Sequence, residues 1–288
     1  MVVKNMEEYY DKETLNKVQK AQAEILKDVL DLCERYKIDT FPIFGSMLGV
    51  VRHQGFIPWD DDIDIGMFRE DFVRFEKAAK KELSEKYEFL TCETNSNYAC
   101  TVTHFQKKGT KFISWDEKDC NYSRGIFIDI FIYDHLADGY LARKYQYAVT
   151  WFLGRLLYLS GDATPFIPYK GAKKRLVEFI CHTVRVGLRI LHITPIKIYR
   201  KFQKVSQRYN HKQTEYCAPF DATMPWASAM KKSDAYPMEK RDFMDFYVHI
   251  PRNADQILTR IFGDYMKLPP EDKRVNHRPY LIEFGEEE

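Results

Sequence analysis

The most constraining feature of the sequence is a run from Asp62 to Gly66 in which acidic and apolar residues alternate. Alternate side chains of a strand share one face, so Asp62 and Asp64 are predicted to project together while Ile63 and Ile65 point into a core. Two adjacent carboxylates repel each other unless a cation lies between them. Because hard oxygen ligands of this kind suit Mg²⁺ or Mn²⁺, the run predicts a metal-dependent transferase of phosphoryl-type groups.

A calcium-binding loop is a second interpretation of these acids, because Asp60, Asp62 and Asp64 fall at the first three ligand spacings of such a loop. The sixth position is then Ile65, where the loop needs glycine, and the twelfth is Asp71, where glutamate is usual. A structural or solvated acidic run is the third interpretation, but a solvated loop does not alternate with isoleucines. Catalytic metal binding is therefore favoured.

A third carboxylate interrupts a run of β-forming residues from Ile126 to Tyr133. A strand of this composition is predicted to be buried on both faces. A lone carboxylate in such a strand costs on the order of several kcal/mol unless it is paired or bound to a metal. Asp129 is thus predicted to act at the metal site, with a structural ion pair as the alternative. Asp134 is predicted to be a turn or helix-capping residue.

A Gly-Ser turn, a strand with two Asp and a later strand with one Asp follow in the order of the polymerase-β-type nucleotidyltransferase superfamily, which the chain resembles. The gap from Ser46 to Asp62 is longer than is usual there. The segment from Gly45 to Ile65 is similar to the signature of the LicD family of phosphocholine transferases, with fukutin-type phosphoribitol transferases as more distant relatives. The resemblance covers roughly residues 20 to 135 and 236 to 280. Further matching segments are 107–110, 125–134 and 262–277.

The resemblance implies an α+β fold, with a nucleotidyltransferase-like mixed sheet flanked by helices. It also implies transfer of phosphocholine from CDP-choline, or a related CDP-alcohol, to a hydroxyl of a cell-surface or lipid-linked glycan, with release of CMP. Teichoic acid, lipopolysaccharide and capsule precursors are the acceptors considered. Asp62, Asp64 and Asp129 would hold the Mg²⁺ or Mn²⁺. The implied substrate-binding residues are Gly45, Ser46, Arg52, Trp59, Lys273, Arg274 and His277.

Two alternatives to phosphocholine transfer stay open. The same site could move another alcohol phosphate or a nucleotidyl group. A protein that had lost catalysis could instead serve as a membrane-associated scaffold, although the presence of all three carboxylates counts against this. For Asp129, the sequence does not separate the role of metal ligand from that of general base.

Four segments are predicted along the chain: an amphipathic helix over 1–37, a nucleotidyltransferase-like core over 38–140, a basic helical subdomain over 141–212 and a C-terminal segment over 213–288 that returns to the active site. The third segment carries fifteen Lys or Arg against two acids, about +13 in a chain of net charge +2. Pro195 is predicted to end its second helix. A polar stripe on that helix is formed by Lys174, Glu178, His182, Arg185, Arg189 and His192.

A narrow basic stripe beside a wide apolar arc is typical either of the centre of a helical subdomain or of a helix at a membrane interface. Contact with an anionic membrane is thus one of two alternatives. Nucleic acid is not an expected partner, because the basic residues are interleaved with apolar rather than base-stacking residues. The six cysteines show no Cys-x-x-Cys pair, and no signal-peptide core or spanning apolar run is seen. The expected location is cytoplasmic, soluble or peripheral on the inner face of the cell membrane.

Overall fold

The computed structural model describes residues 2–4, 11–163, 167, 169–212, 214–274, 276 and 279–285. The helices are α1 (Lys12–Tyr36), α2 (Phe44–His53), α3 (Arg69–Glu82), α4 (Tyr140–Ser160), α5 (Gly171–Ile190), α6 (Pro195–Ser206) and α7 (Ala254–Phe262). The strands are β1 (Val2–Lys4), β2 (Phe41–Pro42), β3 (Asp64–Phe68), β4 (Tyr87–Leu90), β5 (Thr103–Lys107), β6 (Lys111–Ser114), β7 (Phe127–His135), β8 (Tyr216–Pro219), β9 (Met230–Lys231), β10 (Glu239–Phe243), β11 (Phe246–Ile250) and β12 (Pro279–Glu283).

A mixed sheet forms the centre of the fold, with strand order β2-β3-β7-β5-β4. β3 and β7 run parallel, whereas β2 on β3 and β5 on both β7 and β4 are antiparallel. β8 pairs with the last residues of β7, and β9 pairs with β8. β1, β12 and β6 form a separate small sheet, and β10 and β11 form a hairpin. The predicted α+β class with a mixed sheet flanked by helices is confirmed.

The long helix α1 is built as its sequence predicts. Leu15, Val18, Ile25 and Val29 recur at helical spacing and are all buried. Each such side chain contributes about 1.5–3 kcal/mol when it leaves water. Asp11 caps the helix by accepting the N–H of Thr14 at 2.8 Å. Because α1 packs beside α3 and against β7, it covers the sheet next to the acidic strand.

The middle strand β7 is buried along its whole length except at Asp129, as the apolar run predicted. The expectation for Asp134 is wrong, because this residue lies inside β7 rather than in a turn or cap. Its carboxylate accepts hydrogen bonds from Arg69 Nε at 2.8 Å, Arg69 Nη2 at 2.7 Å and Asn210 Nδ2 at 2.7 Å. This bidentate ion pair offsets the cost of burying the carboxylate and lets the strand continue to His135.

Helices α4, α5 and α6 pack together around a second core that includes Leu153, Leu157, Leu188 and Phe202. The expectation that Pro195 ends the second helix of this region is wrong, since α5 already ends at Ile190. Pro195 is instead the first residue of α6, a position where the missing N–H of proline is not needed. Among the described helices, none combines the length and the apolar character that crossing a bilayer requires.

Candidate active site

The two strands that carry the predicted catalytic acids are direct neighbours in the sheet. Asp64 on β3 and Asp129 on β7 are register partners, and the N–H of Asp129 donates to the carbonyl of Ile63 at 2.8 Å. β3 begins at Asp64, so Asp62 lies in the loop just before the strand rather than in it. All three acids are partly accessible to solvent. The parallel pairing thus brings together acids that are 65 residues apart in sequence.

The acids at this edge of the sheet interact strongly. Burial raises the pKa of Asp64 well above its usual range, and the negative charges of Asp62, Asp129 and Asp60 raise it further. Three neighbouring carboxylates therefore disfavour the ionised form of Asp64. Such a cluster is relieved by a cation, by a proton or by the loss of one acid.

No three Asp, Glu, His or Cys side chains within the described residues are arranged to hold one metal ion by themselves. Mg²⁺ in nucleotide-using enzymes is usually held by one or two carboxylates and completes its shell with water and substrate phosphates. The oxygen donors of Asp62 and Asp64 are of this kind. The residues therefore fit an ion that is bound jointly with a diphosphate substrate.

The Gly-Ser turn at the start of α2 is joined to the acidic strand. The buried hydroxyl of Ser46 accepts the N–H of Asp64 at 2.8 Å. A Cβ on Gly45 would lie 3.0 Å from Oδ2 of Asp60, so the absence of a side chain lets the turn approach the acidic loop. The sequence predicted both residues near the acids, and the structure places them there.

Helix α1 holds the loop that leads into the acidic run, at Asp60 and Asp61. Gln19 Nε2 donates to the carbonyl of Asp60 at 2.7 Å, and Gln22 Nε2 donates to the carbonyl of Asp61 at 2.8 Å. Gln22 is one of the buried residues of α1. The amphipathic pattern predicted α1 only as a packing helix. Its two glutamines add a positioning role that the pattern did not reveal.

The C-terminal segment returns to the loop that precedes the acids. The guanidinium of Arg274 lies 5.4 Å from the ring centroid of Trp59. Arg52 Nη1 donates to the carbonyl of Tyr265 at 2.8 Å, and its Nε donates to His53 Nε2 at 2.9 Å. Burial lowers the pKa of Arg52, and the charge of Arg274 adds to this effect. Two guanidinium groups and an indole ring therefore meet beside the acidic loop.

The remaining predicted residues of the C-terminal segment differ in placement. Lys273 is exposed at the end of a short turn, where its N–H donates to the carbonyl of Pro270 at 3.0 Å. Nothing in these contacts links its side chain to the acids. His277 lies outside the described residues. Arg274 is thus the predicted residue of this segment that the structure brings to the site.

One functional candidate was missed in the sequence. His104 on β5 is the register partner of Asp129, and its Nδ1 contacts Oδ1 of that carboxylate. The imidazole is buried, with Phe127 at 4.2 Å and Tyr98 at 5.2 Å between ring centroids. The signal that could have revealed it is a histidine among the β-forming residues from Val102 to Phe105. The pairing of β5 with β7 decides its partner, and that pairing is not visible in the sequence.

Residues 37–155, which contain α2, β3, β5 and β7, match the family model described as LicD/FKTN/FKRP, nucleotidyltransferase domain. A curated relative, the lipopolysaccharide cholinephosphotransferase LicD of Haemophilus influenzae, is 28% identical over 277 residues, which are 92% of this chain and 96% of the relative. The chain is thus similar to the LicD family. Uncharacterized proteins of Rickettsia typhi and Rickettsia prowazekii are 43% and 41% identical over 54 residues, 19% of this chain and 18% and 20% of theirs.

This relationship confirms the prediction of a LicD-like enzyme. The matched segment includes every acid of the site together with His104. It begins after α1 and ends within α4. The glutamines of α1 that hold the acidic loop, the basic helices α5 and α6, and the returning Arg274 therefore all lie outside the matched domain.

Proposed function

We propose that the protein transfers phosphocholine from CDP-choline to a hydroxyl of lipopolysaccharide or a related cell-surface glycan and releases CMP. The observation that carries this proposal is the row formed by Asp64 and Asp129 on neighbouring strands inside a LicD domain. The name of the Haemophilus influenzae relative supports the phosphocholine group and the lipopolysaccharide acceptor. Teichoic acid and capsule precursors are the alternative acceptors.

In this proposal Asp62 and Asp64 would hold Mg²⁺ or Mn²⁺ together with the diphosphate of the donor, and Asp129 would be a further ligand or the general base. Such an ion would neutralise the charge that develops on the leaving nucleotide. The mutual repulsion of the three acids supports this assignment, because clustered carboxylates favour a bound cation. The limited number of protein oxygens supports a joint site with the substrate phosphates.

The reaction is an in-line displacement at the phosphorus of phosphocholine. The acceptor hydroxyl oxygen forms the new bond to phosphorus, the bond to the bridging oxygen breaks, and CMP leaves with the electron pair. Asp129 either accepts the hydroxyl proton or contributes to the metal site. In both cases the orientation of its carboxylate matters. His104, whose Nδ1 contacts Oδ1 of this carboxylate, is assigned as a positioning residue.

Donor binding is assigned to the turn at Gly45 and Ser46 and to the guanidinium groups of Arg52 and Arg274. The N-terminus of α2 offers backbone N–H groups to an anion. The two arginines can make charge-assisted hydrogen bonds to phosphate oxygens. Trp59 already holds the guanidinium of Arg274 near its ring, which supports a role in fixing the C-terminal segment rather than in choline recognition.

A cytoplasmic location is part of the proposal, since CDP-alcohols are soluble nucleotides that a surface-exposed enzyme would not meet. None of the six cysteines, all of which lie in the described part of the chain, forms a disulfide. Free thiols at every cysteine are typical of a reducing compartment.

A panel of donors tests this function. Purified protein with Mg²⁺ is incubated with CDP-choline, CDP-ribitol or CDP-glycerol, with and without lipopolysaccharide, and CMP release is measured beside transfer of labelled phosphocholine. We expect CMP from CDP-choline, faster with acceptor and abolished by a chelator. Preference for another CDP-alcohol would overturn the choline assignment. Pyrophosphate released from a nucleoside triphosphate would indicate nucleotidyl transfer, and inactivity with every donor would favour a scaffold.

A further inference from the structure

Helix α5 is hardly covered by the rest of the described chain. Leu188 is its buried residue, whereas Leu176, Phe179, Ile180 and Ile190 are 58%, 67%, 51% and 69% exposed. A partner that covered these side chains would remove a large apolar area from water, which favours association. Several large apolar residues on one exposed helix mark an interaction surface rather than scattered surface residues.

The exposed residues share one side of the helix. At 100° per residue, Phe179 and Ile190 lie opposite Leu188, and Leu176 and Ile180 extend the same arc. Val184 packs against the second core on the buried side together with Leu188. The apolar surface of α5 is therefore wider than the part that the described residues bury. We call the exposed arc of Leu176, Phe179, Ile180 and Ile190 the outer face of α5.

Positive charge lines the start of this helix. Lys173, Lys174 and Arg175 are exposed in its first turns, and no acid precedes Glu178 in the helix. Lys174 Nζ lies 3.7 Å from Oε1 of Glu178, and both side chains are about half exposed. Lys173 and Arg175 add further positive charge, so the start of α5 is strongly basic. Arg185 is different, since it donates to backbone carbonyls of α4 and the following loop. Arg185 therefore anchors α5. We call Lys173, Lys174 and Arg175 the basic border of α5.

The neighbouring helix α4 carries the same combination of exposed rings and cations. Tyr140 and Trp151 are 67% and 48% exposed. Lys144 Nζ lies 4.5 Å from the Tyr140 ring centroid, and the Arg155 guanidinium lies 5.5 Å from that of Trp151. Tyrosine, tryptophan, lysine and arginine are the residues that place an apolar body and a polar or charged tip at a lipid–water boundary.

The net charge of this region distinguishes two candidate partners for the outer face of α5, a second copy of the chain and a lipid bilayer. Residues 141–212 carry about +13, so two copies joined through the outer face of α5 would bring two strongly positive surfaces together. A bilayer that contains anionic lipids offers both an apolar layer for the outer face and negative headgroups for the basic border. We propose that the outer face of α5 docks the protein on the surface of an anionic membrane. The proposal does not depend on the identity of the transferred group.

The test is co-flotation of the full-length protein with vesicles of phosphatidylglycerol and phosphatidylethanolamine, compared with phosphatidylcholine alone. We expect binding to the anionic vesicles that weakens as salt rises. The double variant Phe179→Ser/Ile190→Ser should bind at least about tenfold more weakly at every salt concentration. Val73→Ser, which replaces a 55% exposed apolar residue on α3, is the matched control and should bind like the wild type.

A charge variant separates the electrostatic contribution. Lys173→Glu/Lys174→Glu/Arg175→Glu should weaken binding and flatten its salt dependence, because it replaces attraction to the anionic headgroups, which salt screens, by repulsion. Far-UV circular dichroism checks that α5 is retained in each variant. Absence of vesicle binding at low salt, equal binding by Phe179→Ser/Ile190→Ser, or a wild-type dimer that this variant dissociates would overturn the proposal. Vesicle binding without CMP release would contradict only the proposed function.

Discussion

Asp129 and His104 are register partners on neighbouring antiparallel strands, and the imidazole Nδ1 contacts the carboxylate Oδ1. On its other side, Asp129 is paired in register with Asp64. One carboxylate thus lies between a second carboxylate and a buried imidazole. The row of three side chains crosses three strands of the sheet, so its spacing is fixed by backbone pairing rather than by loop conformation.

Replacement of His104 should affect turnover more than donor binding. We expect His104→Ala to lower kcat by roughly 10–100-fold, because the Asp129 carboxylate loses the group that orients it. His104→Gln, whose amide can still donate to the carboxylate, should recover part of the loss. The KM for CDP-choline should change little in both variants. A lower melting temperature with normal kcat in the folded fraction would mean that His104 only packs the core.

Replacement of Asp64 and of Asp134 by asparagine should have opposite effects on protein stability. Asp64→Asn should reduce CMP release by roughly 10³-fold or more, yet leave the melting temperature in chelator unchanged or higher, since it removes one charge from a repelling cluster. Asp134→Asn should lower stability by about 3–5 kcal/mol, because it leaves the partly buried guanidinium of Arg69 without its ion-pair partner. Thermal unfolding of both variants in the same buffer measures the contrast. Destabilisation by Asp64→Asn would assign that residue a structural role.

The partly buried carboxyl of Asp221 should make stability depend on pH. Burial raises the pKa of Asp221 to about 8; Asp134 adds to the rise, while the N–H of Ile132 and the charge of Arg69 oppose it. Since the folded-state pKa is above the unfolded one, the stabilisation by the protonated form is complete below about pH 4 and is lost as the pH rises towards 8. Asp221→Asn should therefore raise the melting temperature at pH 8 and leave it nearly unchanged at pH 4.

Urea unfolding of the wild type and Asp221→Asn between pH 4 and pH 9 measures this effect. The Ile132 N–H donates to Asp221 at 3.1 Å, and the oxygen of an Asn amide can still accept it. A constant difference in unfolding free energy across the pH range would contradict the raised pKa.

The guanidinium of Arg274 should contribute to donor affinity. Arg274→Ala is expected to raise the KM for CDP-choline by about tenfold or more, because a hydrogen bond to a charged phosphate is worth about 1.5–3 kcal/mol. Arg274→Lys should fall between Ala and wild type, since it keeps the charge but not the planar fork. Arg241→Ala, which removes an exposed arginine paired with Glu239, is the control. Equal KM values for Arg274→Ala and wild type would remove this residue from the donor site.

The sequence allowed the acids and their strands to be predicted because their signals are local. Period-two alternation predicted the strand that begins at Asp64, although Asp62 lies in the loop before it. The apolar run predicted that Asp129 would be the exceptional residue of β7. Strand pairing was not predictable in this way, because it depends on residues far apart in the chain. The contact between His104 and Asp129 and the ion pair between Arg69 and Asp134 both come from such pairing.

The basic region shows a different limit. Its charge and helices were predicted, but the periodicity of α5 fits a buried helix and an interfacial helix equally well. Phe179 and Ile190 are exposed in the structure, and this exposure depends on how α4 and α6 pack beside α5. Contact with a membrane stays a prediction. Pro195 was misassigned for a related reason, since a proline that stops one helix is also well suited to start the next.

The hydrogen bonds from Gln19 and Gln22 to the acidic loop have a practical consequence for any attempt to work with a minimal protein. A fragment trimmed to the matched residues 37–155 would keep Asp62, Asp64 and Asp129 but would lack the helix whose amides hold the loop carbonyls. It would also expose the sheet surface that α1 covers. Inactivity of such a fragment would therefore say nothing about the acids, and truncations should begin no later than the cap at Asp11.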